Sequence, residues 1–224
     1  MNVRLSLLRF LPLLLGTMIP VTSVLALDDS FDRADTSFLE YTNDDDGLGN
    51  GWRPVSGTWR IGDNKLELKA PGIVSRVILL AEPKLTVPFT VSVEVIALTS
   101  NREPSAGLAF FAKDAKQFYV FRICAAGPDS FLQFNATDNG EEGMQNIGGN
   151  LAAGAQFQEN TPYRLTVRCT TPGTFDFTVV DVASGETLVS NSVRDPQSRF
   201  TEGQVGIYSS TAFSAFDNFS FKKE

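Results

Sequence analysis

Histidine does not occur in this 224-residue chain. Without an imidazole there is no Ser-His-Asp or Cys-His hydrolytic centre and no His-ligated zinc. Cysteine is scarce, at two residues, and tryptophan equally so. Basic residues are outnumbered, 19 Lys plus Arg against 26 Asp plus Glu, for a formal charge of -7. An acidic surface repels phosphate backbones, which argues against nucleic acid as a partner. The chain also lacks an uninterrupted run of about 18 apolar residues, so the mature protein has no membrane span. What it has in quantity is phenylalanine, 18 residues against 4 Tyr and 2 Trp. Phe needs no polar partner when buried, so most of these rings are expected in a core.

The first 26 residues read as a secretory signal. Arg4 and Arg9 give the positive start, Leu11 to Leu15 the apolar centre, and Val24-Leu25-Ala26 the small or short residues before a cleavage after Ala26. Pro12, Gly16 and Pro20 interrupt the stretch, which suits a cleaved segment better than an anchor. The expected mature chain, 27–224, is one domain, secreted or periplasmic.

After residue 50 the apolar runs are short, β-branched or aromatic, and separated by turn residues. Phe89-Thr-Val-Ser-Val-Glu-Val95 alternates with period two. Further strands are expected at Leu66 to Lys69, Gly107 to Ala112, Phe118 to Cys124, Phe131 to Asn135, Tyr163 to Cys169, Phe175 to Asp181, Thr187 to Val193, Gln204 to Tyr208 and Phe213 to Phe221. Leu151 to Phe157 suits one short helical turn, weakened by Gly154. A dozen short strands joined by tight turns describe an all-β, two-sheet antiparallel sandwich or jelly roll. Cys169 shares its strand face with Tyr163, Leu165 and Val167, whereas Cys124 shares its face with Arg122. One points inward and the other outward, so a disulfide and two reduced thiols both stay open.

Several segments carry a family resemblance. Asp29-Ser-Phe-Asp-Arg-Ala-Asp35, Leu48-Gly-Asn-Gly-Trp52 with Val55-Ser-Gly-Thr-Trp59, Ala106-Gly-Leu-Ala-Phe-Phe111 with Phe118-Tyr-Val-Phe-Arg122, and Gly203-Gln-Val-Gly-Ile-Tyr208 with Ala215-Phe-Asp-Asn-Phe219 follow in order. Together they resemble secreted bacterial modules with the concanavalin A-like (laminin G-like) jelly roll. That family is related to the 3-keto-disaccharide hydrolase domain, family 16 glycoside hydrolases and noncatalytic sugar-binding modules. The insert Thr36 to Asp46 is longer and more acidic than the usual first connection. The resemblance implies that the first and last strands lie side by side and that both tryptophans pack in early structural strands.

It also implies a structural calcium ion joining those strands, with Asp29 and Asp217 as ligands, since each precedes a Phe by two positions. The competing reading makes both strand-end residues that hydrogen-bond turns. Asn43-Asp-Asp-Asp-Gly47 fails as an EF-hand loop, because Thr42 and Arg53 would fall at its first and twelfth positions. A glycan groove is expected on a polar sheet face, with Arg122, Gln133, Asn135 and Glu94 as ligand-binding residues; ordinary solvent-facing sheet residues give the same pattern. The family 16 pattern Glu-x-Asp-x-x-Glu is absent: the nearest candidates, Glu94 and Glu103, have neutral residues where Asp is needed, and Glu141-Glu142 has no alternating strand to aim it, leaving Glu94 as the weak catalytic candidate. The leading expectation is a noncatalytic carbohydrate-binding module whose partner is a polysaccharide or glycan. A glycan- or keto-sugar-active hydrolase and an envelope adhesion protein contacting partners through residues 35–46 are the alternatives.

Overall fold

Every second residue of Phe89–Ala97 is buried against apolar neighbours, and the same alternation builds most of the molecule. The structure is a computed structural model, described here for residues 26–40, 47–69, 76–98, 105–140, 142–152, 154–210 and 213–224. These form seventeen strands and no helix. In chain order the strands are β1 (Ala26–Asp29), β2 (Leu39–Glu40), β3 (Trp52–Pro54), β4 (Thr58–Gly62), β5 (Lys65–Lys69), β6 (Arg76–Leu80), β7 (Leu85–Thr86), β8 (Phe89–Ala97) and β9 (Ser105–Ala112). They continue with β10 (Phe118–Cys124), β11 (Phe131–Thr137), β12 (Gln145–Asn146), β13 (Pro162–Thr171), β14 (Thr174–Asp181), β15 (Thr187–Arg194), β16 (Glu202–Ser210) and β17 (Ser214–Lys223).

All pairings are antiparallel, in two sheets. The nine-stranded sheet runs β15-β14-β13-β8-β17-β5-β4-β2, with β1 also on β17. The eight-stranded sheet runs β12-β11-β10-β9-β16-β6-β3, with β7 on β16. Their inner faces share one core, as a β-sandwich requires. The phenylalanines concentrate there: Phe121 stacks on Phe177 with ring centroids 4.2 Å apart, and Phe134 meets Phe175 at 4.9 Å. Trp52 and Trp59 are both fully buried in this core, as expected.

A second apolar cluster lies on the outside of the eight-stranded sheet, where Val77, Leu79, Ala109, Phe118, Val120 and Tyr208 are buried, with Val55 and Met144 packed against them. That cluster explains why β6 has no alternation to read: Val77 and Leu79 face outward into it while Ile78 and Leu80 face the main core.

β17 changes partner along its length. Its first residues pair with β5 and its later ones with β1, while β8 lines its other side throughout. The register against β8 shifts between Asp217 and Ser220, and Asn218 takes a positive φ of 47° there. Asn tolerates that left-handed conformation better than most residues, and a bulge re-aims the strand.

The expected helical turn at Leu151 to Phe157 does not form. Ala155 N–H closes a turn onto the Ala152 carbonyl, and Phe157 then bridges Gly127. Gly154 at φ 90° is incompatible with continuing a right-handed helix. Cys124 and Cys169 stand on different sheets, both buried and with no disulfide between them. The segment expected to be a signal lies outside the described residues except Ala26, which opens β1 opposite Lys222. Among the described residues no helix is long and apolar enough to cross a membrane.

Candidate functional site

The junction of β1 and β17 was expected to hold a metal ion, and its chemistry starts at Asp29. Oδ1 accepts from the Phe31 N–H and from Arg33 Nη1, both at 2.8 Å. Oδ2 accepts from Trp52 Nε1 at 2.7 Å, Asn50 Nδ2 at 3.1 Å and Arg33 Nη2 at 3.2 Å. Burial pushes the Asp29 carboxyl upward, but Arg33, the Phe31 N–H, Trp52 and Asn50 outweigh it and hold the pKa below the ordinary aspartate value. The β1 residue does lie beside β17, with Asp29 opposite Phe219. Five N–H hydrogens point at its carboxylate, a polarity that suits an anion and opposes a cation. The donor set therefore does not fit calcium at Asp29, where an ion would have to displace the Arg33 guanidinium.

Asp217 is half-buried on β17, its Oδ1 accepting from the Asn218 N–H at 2.7 Å. Its pKa is raised, first by burial and then by the charges of Glu94 and Asp32, against the pull of Asn218 and Lys65. Its cross-strand partner is Glu94, not Asp29. Among the described residues no three carboxylates or thiols converge as a metal-binding group.

The groove residues assemble on the outer face of the eight-stranded sheet. Register places Gln133, Arg122, Gly107, Tyr208 and Val77 in one row across β11, β10, β9, β16 and β6. A neighbouring row carries Phe131, Cys124, Ser105 and Ser210, and the row on the other side carries Asn135, Val120, Ala109, Gly206 and Leu79. Gly107 has a packing reason: a Cβ there would stand 1.9 Å from the Phe121 carbonyl oxygen. Arg122 Nη2 donates to Gln133 Oε1 at 3.1 Å, and Nη1 reaches Ser105 and Ser210 hydroxyls at 3.3 Å and the Tyr208 hydroxyl at 3.5 Å. The guanidinium carbon lies 5.3 Å from the Phe131 ring centroid and 5.8 Å from that of Tyr208, a cation–π arrangement. Arg122 Nε is buried with no hydrogen-bond partner, and so is Asn135 Oδ1.

This architecture has solved counterparts. The carbohydrate binding module CBM66 from Bacillus subtilis matches with a TM-score of 0.61 at 22% identity, over 77% of this chain and 96% of that one. The VIP36 exoplasmic/lumenal domain in its Ca2+/Man2-bound form matches at 0.55 and 12%, over 82% and 85%. The chain has the concanavalin A-like jelly-roll fold. The GH43 protein BlXynB from Bacillus licheniformis carries the same jelly roll, with a TM-score of 0.59 at 14% identity over 88% of this chain and 39% of that one. No protein-family model and no curated protein matches the sequence.

The jelly roll separates Glu94 from the rest of the expected groove. Glu94 stands on β8 of the nine-stranded sheet, facing outward on the opposite side of the sandwich from Arg122. Strand alternation gives the face a residue occupies but not the sheet its strand joins. Glu94 Oε1 accepts from Arg164 and Oε2 from Asn218 Nδ2, the latter at 3.1 Å. Beside this network a cleft of about 480 Å³ is lined by Asp28, Ser30, Ser92, Arg164, Asn218 and Ser220, among others. Sequence reasoning missed Arg164, Arg33 and Asn50; Arg164 was legible as the outward residue of its alternating strand, whereas Asn50 sits in a turn with no periodicity.

The remaining expectations resolve as follows. Asn135-Ala-Thr137 and Asn218-Phe-Ser220 match the glycosylation acceptor pattern; Asn135 is buried within β11, while Asn218 is exposed at the β17 bulge. Glu103, Glu141 and 41–46 of the acidic insert lie outside the described residues, and Glu142 is an exposed acceptor for Asn139.

Proposed function

We propose that the chain is an exported, noncatalytic carbohydrate-binding module whose ligand face is the outer side of the eight-stranded sheet. The observation that carries this reading is the row Gln133–Arg122–Gly107–Tyr208 with Phe131 beside it. The planar polar groups of Gln133 and Arg122 are half-buried there beside the half-buried Phe131 ring, a combination that suits sugar hydroxyls and a C–H face. The fold shared with CBM66 and with a Man2-bound domain supports it. Calcium enters this reading only as a competitor of Arg33 for Asp29.

The test is retention of the purified protein on insoluble and immobilised polysaccharides, with the supernatant assayed for released sugar. Retention without release is the expected result. No retention on any polymer would sink the proposal.

A hydrolase of the same fold is the second reading. What favours it is Glu94 and Asp217 standing as cross-strand partners on the strands that carry cleft residues Ser92 and Asn218, since glycosidases work with a pair of carboxyl groups. Against it, both Glu94 oxygens are already held by Arg164 and Asn218. Released sugar in the retention assay, abolished in Glu94→Gln, would establish this reading in place of the first.

A further inference from the structure

The binding face holds a charge that the protein leaves unanswered. Arg33, Arg60, Arg164, Arg168 and Arg199 each meet a carboxylate. Arg122, half-buried with its Nε sealed from water, meets none among the described residues, and its acceptors are all neutral at 3.1–3.5 Å. A guanidinium withdrawn from water without an anion is costly, and five fixed donors in a planar fork match an anionic oxygen pair.

The neighbours reinforce this. Gln133, half-buried beside it, spends its Oε1 on Arg122 and keeps both Nε2 hydrogens. The face around the guanidinium is thus rich in donors and poor in acceptors, the complement of an anion.

We infer that Arg122 pairs with the anionic group, carboxylate or sulfate ester, of an acidic sugar unit in the glycan. This rests on the carbohydrate-binding reading above and deepens it. The formal charge of -7 on the whole chain repels polyanions at long range. Preference for an acidic polymer must therefore arise locally, and moderate salt, which screens that repulsion, leaves it in place.

The experiment is calorimetric titration of the whole protein with polygalacturonate and with the same polymer after carboxyl reduction, alongside dextran sulfate and dextran. The expected result is at least about tenfold tighter binding of one acidic polymer than of its neutral counterpart, corresponding to the loss of one charged hydrogen-bonded pair. Preference within the first pair assigns a carboxylate, and within the second a sulfate ester. Arg122→Gln should erase the preference at an unchanged melting temperature. If that variant does not fold, Arg122→Lys, which keeps the charge but loses the fork, should reduce the preference severalfold. Equal binding of acidic and neutral polymers, or a preference that survives Arg122→Gln, overturns the inference while leaving glycan binding intact. Binding of none of the four, together with no retention on the polysaccharides above, removes both.

Discussion

Arg33 and Arg122 are the same side chain used in opposite ways. Arg33 closes a circuit: its fork grips both oxygens of Asp29, its Nε donates to the Leu48 carbonyl at 2.7 Å, and Trp52 and Asn50 complete the carboxylate. Arg122 leaves its circuit open, with neutral acceptors at longer range and a bare Nε. The first arrangement is what a protein does with charge to hold itself together. The second is stable only because the sheet, Phe131 and Tyr208 support the guanidinium by packing, and it retains capacity for a partner. Incomplete pairing, more than the presence of a polar residue on a sheet, is what distinguishes the face proposed to bind.

The contrast can be broken at several points, in decreasing order of effect. Asp29→Ala should cost about 3–5 kcal/mol in urea unfolding, because it leaves the Arg33 charge and the Trp52 indole N–H without an acceptor. Arg33→Met should cost about 1–3 kcal/mol by the same measurement, since Asp29 keeps three of its partners. Arg122→Met should fall within about 1 kcal/mol of wild type, on the stabilising side, because it removes a charge that had no counter-ion. A loss as large as that of Arg33→Met would mean that the two arginines play the same role. Arg164→Met removes a half-exposed side chain and leaves the buried Glu94 its Asn218 donor, so it should change stability by less than about 1 kcal/mol.

Acid sharpens the same comparison. The Asp29 pKa is lower in the folded chain than in the unfolded one, so its contribution is fully present above the unfolded value of about 3.9. It is lost as the pH falls through the lower folded value, because the unfolded state takes up the proton first. The difference in unfolding free energy between pH 6 and about pH 3 should therefore be smaller in Arg33→Met than in wild type and unchanged in Arg122→Met. Melting temperatures in calcium and in chelator should coincide; a rise in calcium would place an ion at Asp29 in competition with Arg33.

Much of this was legible from residue order alone. Ten strands announced themselves by alternation, and the neighbourhood of Arg122 and Gln133 follows from two adjacent alternating strands. β6 stayed hidden because both its faces are apolar. Glu94 joined the wrong group because outwardness has two sides in a sandwich. The circuit at Asp29 draws on residues 4, 21 and 23 positions away, distances that no local pattern encodes. Cys169 was legible as inward, and its burial pushes the thiol up to about 12, which makes it inert rather than catalytic.

The change of partner along β17 orders events in time. Residues 26–29 acquire their hydrogen-bonded neighbour only from residues 219–222, and β8 likewise waits for β17 on one side. A chain emerging from a ribosome in sequence order cannot seat β1 until residues 219–222 are out. Its earliest strand is thus among the last to find its place, and contacts this distant in sequence make folding slow. Removal of the final strand would unseat the beginning of the domain together with its end, making the two extremities a single cooperative unit.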